Sequence, residues 1–267
     1  MRANAAWGLG RIGDDSAVVP LIGALKDKRK EVRHGAVHSL ADIGEPAVPA
    51  LLKALEDERL NVERDEHKRA WAIHGITFAL GEIGDKSAVP YIYKLLKDKD
   101  WNIIMYATEA LCVMGDETVI YDLMRIGGQE KIKARNLLDK FRRSNRENME
   151  EKEAMEMKQH TGQWTGIYSG ISNVGEPIIH TLIKALKNKD WQVRYFAVKL
   201  LENLSMNYSA YKSIAIPALI KNLKDERPEI RKAVEKTLKF MTQEDFGKAH
   251  EKWQEWWERT INENKTK

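Results

Sequence analysis

One cysteine in 267 residues, Cys112, leaves no internal disulfide and suits a reducing compartment, so a cytoplasmic location is expected. No apolar run approaches the roughly 20 residues that a membrane-spanning helix needs. The opening "MRANAAWGLG" lacks the apolar core of a secretion signal. Proline is sparse, at 7 residues, and β-rich runs are missing, so a mainly helical chain is expected. Neither sign of charge dominates: 44 basic and 40 acidic residues leave a net charge of +4, too even to predict a nucleic-acid partner. Catalytic signatures are lacking too. There is no phosphate-binding Gly loop, no Cys-His pairing and no nucleophile elbow, and the "DFG" at 245–247 stands without the other parts of a kinase.

What is present is repetition. The phrase "RANAAWGLGRIG" (2–13) returns as "RHGAVHSLADIG" (33–44) and "IHGITFALGEIG" (73–84). Weaker copies are "IMYATEALCVMG" (104–115), "RYFAVKLLENLS" (194–205) and "RKAVEKTLKFMT" (231–242). Their starts are separated by 31, 40, 31, 90 and 37 residues, and the long gap has room for degenerate copies at 131–143 and 163–175. A second phrase alternates with the first: "SAVVPLIGALKD" (16–27), "EPAVPALLKALED" (45–57), "KSAVPYIYKLLKD" (86–98), "EPIIHTLIKALKN" (176–188) and "IAIPALIKNLKD" (214–225).

Both phrases have helical period. Val32, Ala36, Leu40 and Ile43 fall on one stripe, and Leu51, Leu52 and Leu55 on another. Gly13, Gly44, Gly84 and Gly115 stand where a helix wants a left-handed closing residue. Asp14, Glu45, Asp85 and Asp116 then open the next helix at its positive end. Pro20, Pro49, Pro90 and Pro217 sit near the start of the second helix, where a missing N–H costs little. A pair of helices with one apolar stripe each cannot fold alone, but stacked copies bury both stripes. The expected fold is all-α: a right-handed α-solenoid of stacked helical hairpins.

The pattern assembled from these copies, VRxxAaxALGxIGdxxAvPxLixxLkD, resembles the HEAT-like repeat of the phycobilisome-lyase type over residues 1–142 and 163–242. The resemblance implies short antiparallel helix pairs, with the Gly-ending helix lining a concave face. It also implies an Asp–Arg ladder tying repeat to repeat, here Asp27, Asp57, Asp98 and Asp225 with Arg33, Arg194 and Arg231. Relatives with this repeat mostly act as adaptors, and bilin lyase activity occurs in the wider family.

Three departures from regularity organise the chain. Residues 58–72 hold about nine extra residues, read as an extended loop or helix elongation. Residues 144–162 are densely charged and form a helical junction between an N-terminal array (1–143) and a C-terminal one (163–242). Met1 starts inside a repeat, so the first helix is covered by another surface or the chain is part of a longer array. At the far end, Trp253, Trp256 and Trp257 share one stripe of a helix, read as a Trp-rich capping helix and tail over 243–267.

The residues off the apolar stripes are the functional candidates. His34 and His38 fall opposite the core stripe of their helix. At the same two columns the other copies carry Ala3, His74, Met105, Tyr195 and Lys232, then Trp7, Phe78, Glu109, Lys199 and Lys236. The deoxyhypusine hydroxylases, a similar HEAT-like family, hold two iron ions through His-Glu pairs in a pattern like "RHE-A-x-E-A-L-G". His34 and His74 match its histidine, but Gly35 and Gly75 stand where the carboxylates belong. A di-iron site is therefore not expected, and no metal or cofactor is assigned. Cys112 occupies a column of small residues, which predicts packing rather than nucleophilic chemistry.

The expected function is a non-catalytic scaffold that docks a protein partner of unspecified identity on its concave face. Trp7, His34, His38, His74, Phe78 and Met105 form an aromatic part of that face, and Tyr195, Lys199, Lys232 and Lys236 belong to a basic part with Arg194 and Lys239. Two alternatives stand beside it. One is an enzyme or enzyme accessory, bilin-lyase-like or metal-dependent; the other is nucleic-acid binding through the basic ridge, as in HEAT-like DNA glycosylases.

Overall fold

The computed structural model describes residues 2–60, 65–115, 117–143, 149–207 and 211–265, and among them every regular element is helical. Three helix pairs open the chain: α1 (Arg2–Ile12) with α2 (Val18–Ala24), α3 (Lys30–Ile43) with α4 (Val48–Leu60), and α5 (Glu66–Ile83) with α6 (Val89–Tyr93). Then follow α7 (Trp101–Met114), α8 (Glu117–Arg143) and α9 (Glu151–Val174). The chain continues with α10 (Ile179–Ala185), α11 (Trp191–Asn207), α12 (Lys212–Asn222), α13 (Pro228–Thr242) and α14 (His250–Lys265). No helix among the described residues is long and apolar enough to cross a membrane.

First helices pack side by side, α1 on α3, α3 on α5, α5 on α7 and α7 on α9, while α2, α4 and α6 form a second layer. The stripes predicted from the period are the core: Val32, Ala36, Leu40 and Ile43 are buried, as are Leu51 and Leu55. One continuous apolar cluster runs from Ala6 to Trp253, as a solenoid requires, since no repeat has a core of its own.

Turn chemistry follows the sequence with two corrections. Gly13, Gly44 and Gly84 have φ of 69°, 77° and 75°, and Gly175 joins them at 70°. Gly115 is extended instead, at φ −84°. There a Cβ would lie 2.4 Å from the Leu111 carbonyl oxygen, so the position needs the space and not the left-handed conformation. Asp14 and Asp85 accept hydrogen bonds from the Ser16 and Ser87 amides, each at 2.8 Å, and so open the next helical turn. Asp116 lies outside the described residues. Pro20, Pro49 and Pro90 sit in the first turn of their helices, but Pro217 lies inside α12, because that helix starts at Lys212.

The ladder of arginines and aspartates is real, with a different membership. Arg2 pairs with Asp27 at 3.2 Å, Arg69 with Asp98, and Arg194 with Asp225 at 2.7 Å. Each aspartate also accepts a backbone amide at the next helix start, from Arg29, Asp100 and Arg227, all at 2.9 Å. Arg33 donates to the Asp27 carbonyl and lies over the Trp71 ring, 3.9 Å from its centroid. Arg231 donates only to the carbonyls of Asp225 and Glu226. Asp57 is exposed and forms no ion pair among the described residues. Glu58, beside it, takes Lys26 at 2.5 Å and receives Arg69 on its carbonyl at 3.0 Å. The elongation of α4 to Leu60 supplies the physical reason, since the chain continues as helix where the other copies turn.

The extra residues after 57 lengthen both flanking helices, and residues 61–64 lie outside the described set. In the 144–162 stretch, residues 144–148 also lie outside it. From Glu151 the chain enters α9, which continues through position 163 to Val174. α8 lies antiparallel to α9, shown by Glu130–His160 and Lys140–Glu153 pairs, and it packs on α11 as well. A helix thus inserts between α9 and α11, and the regular succession of first helices resumes with α11 on α13. At the end, Trp253 is fully buried, its ring edge-on to Phe246 at 4.9 Å and its indole N–H donating to the Gly247 carbonyl at 2.9 Å. α14 packs on α12 and brings Trp253 into the continuous apolar cluster.

Candidate functional site

The aromatic candidates of the N-terminal half meet on the face of the first helices. The Trp7 indole stacks on His38 with ring centroids 5.5 Å apart and planes 10° from parallel. His34 lies one turn before His38, with ring centroids 4.4 Å and Nε2 atoms 3.2 Å apart. His38 meets the Phe78 ring edge-on at 5.7 Å, Phe78 meets His74 at 6.4 Å, and His74 stacks on Tyr106 at 4.2 Å. An unbroken series of ring contacts therefore crosses α1, α3, α5 and α7. Each such pair contributes on the order of 0.5–1.5 kcal/mol beyond simple burial, so the side chains hold one another in place at a solvent-accessible surface. Trp7 remains 41% exposed.

The glycines in place of carboxylates have a packing role. A Cβ on Gly35 would come within 3.1 Å of the Trp7 ring, and one on Gly75 within 2.7 Å of Leu25. The bare backbone at 35 is what lets the indole lie flat against α3. Among the described residues no group of three or more His, Cys, Asp or Glu side chains is placed to hold a metal ion. His34 and His38 are adjacent, but His74 lies beyond Phe78 and faces Tyr106.

Electrostatics keep the ladder neutral at its α5–α7 end. His74 is held below the ordinary imidazole value of 6.5, first by desolvation and then by the Arg33 charge. The residue as a whole is exposed, so this desolvation comes from crowding by the Phe78 and Tyr106 rings rather than from full enclosure. Glu109, one turn beyond Tyr106, is pushed above the usual carboxylate range by burial. His74, Tyr106 and Glu109 border a cavity of about 70 Å³, room for two or three waters and not for a substrate. Cys112 is buried, and that burial pushes its thiol far up, which keeps it protonated and unreactive.

Met105 is half-buried with its carbonyl against Gly170 of α9, and Tyr106 occupies the ladder position instead. Tyr106 stands in the column that holds Gly35 and Gly75, and Phe196, in the same column, is buried core, so the column alone does not mark it. Tyr195, Lys199, Lys232 and Lys236 are not part of the ladder. They line a separate cleft between α8, α11 and α13 together with Lys131, Arg135 and Trp191. Arg194 and Lys239 leave this basic ridge: Arg194 is buried against Asp225, and Lys239 pairs with Asp245. Trp253, buried in the cap, offers no face for stacking; Trp256 and Trp257 are half-buried beside it.

An all-helical stack of paired helices defines a helical-repeat protein. Residues 1–70, 60–131 and 179–249 match the HEAT repeats, and the chain belongs to that family. It is 34% identical over 111 residues to phycocyanobilin lyase subunit alpha of Picosynechococcus sp., a match covering 40% of this chain and 41% of that protein. The chain thus spans less than half the length of the curated relative it matches. A crystal structure of importin beta is similar at a TM-score of 0.32 and 15% identity, over 90% of this chain and 34% of importin beta.

Proposed function

We propose that this protein is a non-catalytic scaffold that docks a protein partner on the face of its first helices, the face that the repeat resemblance makes concave. The observation that carries the reading is the ring ladder, Trp7–His38–Phe78–His74–Tyr106 with His34 beside it, spread over four successive first helices. Aromatic side chains held rigid by their neighbours lose little entropy on binding and are enriched at interface hot spots. The one cysteine is buried, and the cavity at the ladder is too small for chemistry on a substrate.

Affinity capture from the native cell with the unaltered chain and with Trp7→Ala/Phe78→Ala tests the reading. The double variant is expected to lose the specific partner while keeping its helical circular dichroism, since truncation of a hot-spot residue costs about 2 kcal/mol or more. An unchanged partner profile counts against the ladder as the docking site. The alternative of a lyase subunit is favoured by the name of one relative alone. A saturable absorbance change on adding phycocyanobilin to the purified chain would favour it over docking.

A further inference from the structure

The cleft between α8, α11 and α13 is built by close approach. On α8, a Cβ at Gly127 would lie 2.6 Å from the Phe196 ring, and one at Gly128 would lie 3.2 Å from Gln192 Cβ. The glycine pair thus lets α8 settle on α11. One and two turns later, Lys131 and Arg135 come opposite Lys199 of α11 and Lys232 and Lys236 of α13. The open cleft has a volume of about 580 Å³, within the range of small-molecule sites, which runs from roughly 300 to 1,000 Å³. Five cations line it, and Glu229 is the one carboxylate in that lining.

The positive charges are incompletely answered from within the chain. Lys199 pairs with Glu202, and Arg135 reaches Asp139 at 3.7 Å. Lys232 and Lys236 are exposed and have no ion pair among the described residues. Lys131 has none either. Its ammonium lies over two ring faces, 4.5 Å from the Trp164 centroid and 5.3 Å from that of Tyr195. Burial and the nearby Lys199 charge lower its pKa. First-turn residues of α11 and α13 complete the lining, so two helix dipoles add positive potential at one end.

We propose that this cleft binds a small ligand carrying two or more phosphate groups. The cation set is four lysines and one arginine. Lysine acts as a point charge suited to phosphate oxygens, the arginine fork takes a phosphate bidentately, and five cations against one carboxylate suit a ligand of several negative charges. Cations gathered on three helices around one open cleft favour a compact ligand over a nucleic-acid strand, which needs an extended track. The inference goes beyond the docking reading and does not rest on it, because the ladder lies on other helices.

Calorimetric titration of the full chain with inorganic tripolyphosphate, ATP and citrate tests it. Tripolyphosphate is expected to bind one to one. Comparable binding of ATP assigns recognition to the phosphates alone, and tighter binding of ATP adds a contact from its ring. Lys232→Glu/Lys236→Glu, at exposed positions, should weaken tripolyphosphate by roughly tenfold or more per reversed charge. Lys28→Glu/Lys30→Glu and Trp7→Ala/Phe78→Ala should leave it unchanged. Absence of saturable binding by either phosphate probe overturns the proposal. So does citrate binding as tightly as tripolyphosphate, or equal weakening by the Lys28/Lys30 reversals, which would mark a nonspecific charge effect.

Discussion

Asp225→Ala is expected to lower the unfolding free energy by about 3–5 kcal/mol. The Arg194 side chain is 9% exposed and that of Asp225 5%, and two nitrogens of the guanidinium bond the two carboxylate oxygens at 2.7 and 3.0 Å. Removing the carboxylate leaves a buried cation with only the largely exposed Glu226 carboxylate, at 3.2 Å, and the carbonyls of Asn188 and Lys189 to answer it. The same change removes the acceptor for the Arg227 amide at the start of α13. Urea unfolding followed by circular dichroism measures the loss. Replacing both partners, as Arg194→Met/Asp225→Leu, should recover a large part of it, because no charge is then left buried without a partner. A double variant as unstable as Asp225→Ala would show that the pair contributes by capping α13 and not by neutralising Arg194.

Trp253→Ala is the second large effect, about 3–5 kcal/mol from the loss of a fully buried indole and the cavity it leaves. Trp253 holds Phe246 and Trp256 in edge-on contacts at 4.9 and 5.8 Å, so its truncation loosens the whole of α14 from α12. In a solenoid each repeat is stabilised by its neighbours, and an uncovered end repeat frays first. Limited proteolysis should therefore cleave the variant between α13 and α14 much faster than the parent chain. Trp253→Phe keeps the ring contacts but loses the indole hydrogen bond to Gly247, and it should cost about 1–2 kcal/mol. Equal cleavage rates in the parent and the alanine variant would show that α14 does not cap the array.

The repeat fold is written in the sequence because its determinants are local. A left-handed glycine, an acidic residue and an apolar stripe recur within each copy, and together they place Val32, Ala36, Leu40 and Ile43 in the core. Helical phase alone puts His34 and His38 opposite that stripe. Phase does not say what lies across from them, so the contact of Trp7 with His38 emerges only when α1 is set beside α3. Tyr106 escapes a reading by the two candidate columns because it stands one position after Met105, in the column of Asn4, Gly35 and Gly75. Asp57 misleads because helix α4 runs on past it and hands the pairing role to Glu58.

The cleft is legible only in part. Lys199, Lys232 and Lys236 stand at matching repeat positions and can be found by alignment of the copies. Lys131 and Arg135 come from α8, in the degenerate stretch 131–143 whose columns do not align with the clear copies, and only tertiary packing through Gly127 and Gly128 brings them to the same place. Arg194 is claimed in the sequence both by the repeat-to-repeat ladder and by the ridge, and its pairing with Asp225 decides for the ladder.

Hydrogen exchange of the chain, alone and with its captured partner, tests the central claim most directly. Docking on the ladder predicts slowed exchange in α1, α3, α5 and α7, with α2, α4 and α6 unchanged. Protection confined to α2, α4 and α6 would contradict it and place the partner on the opposite layer.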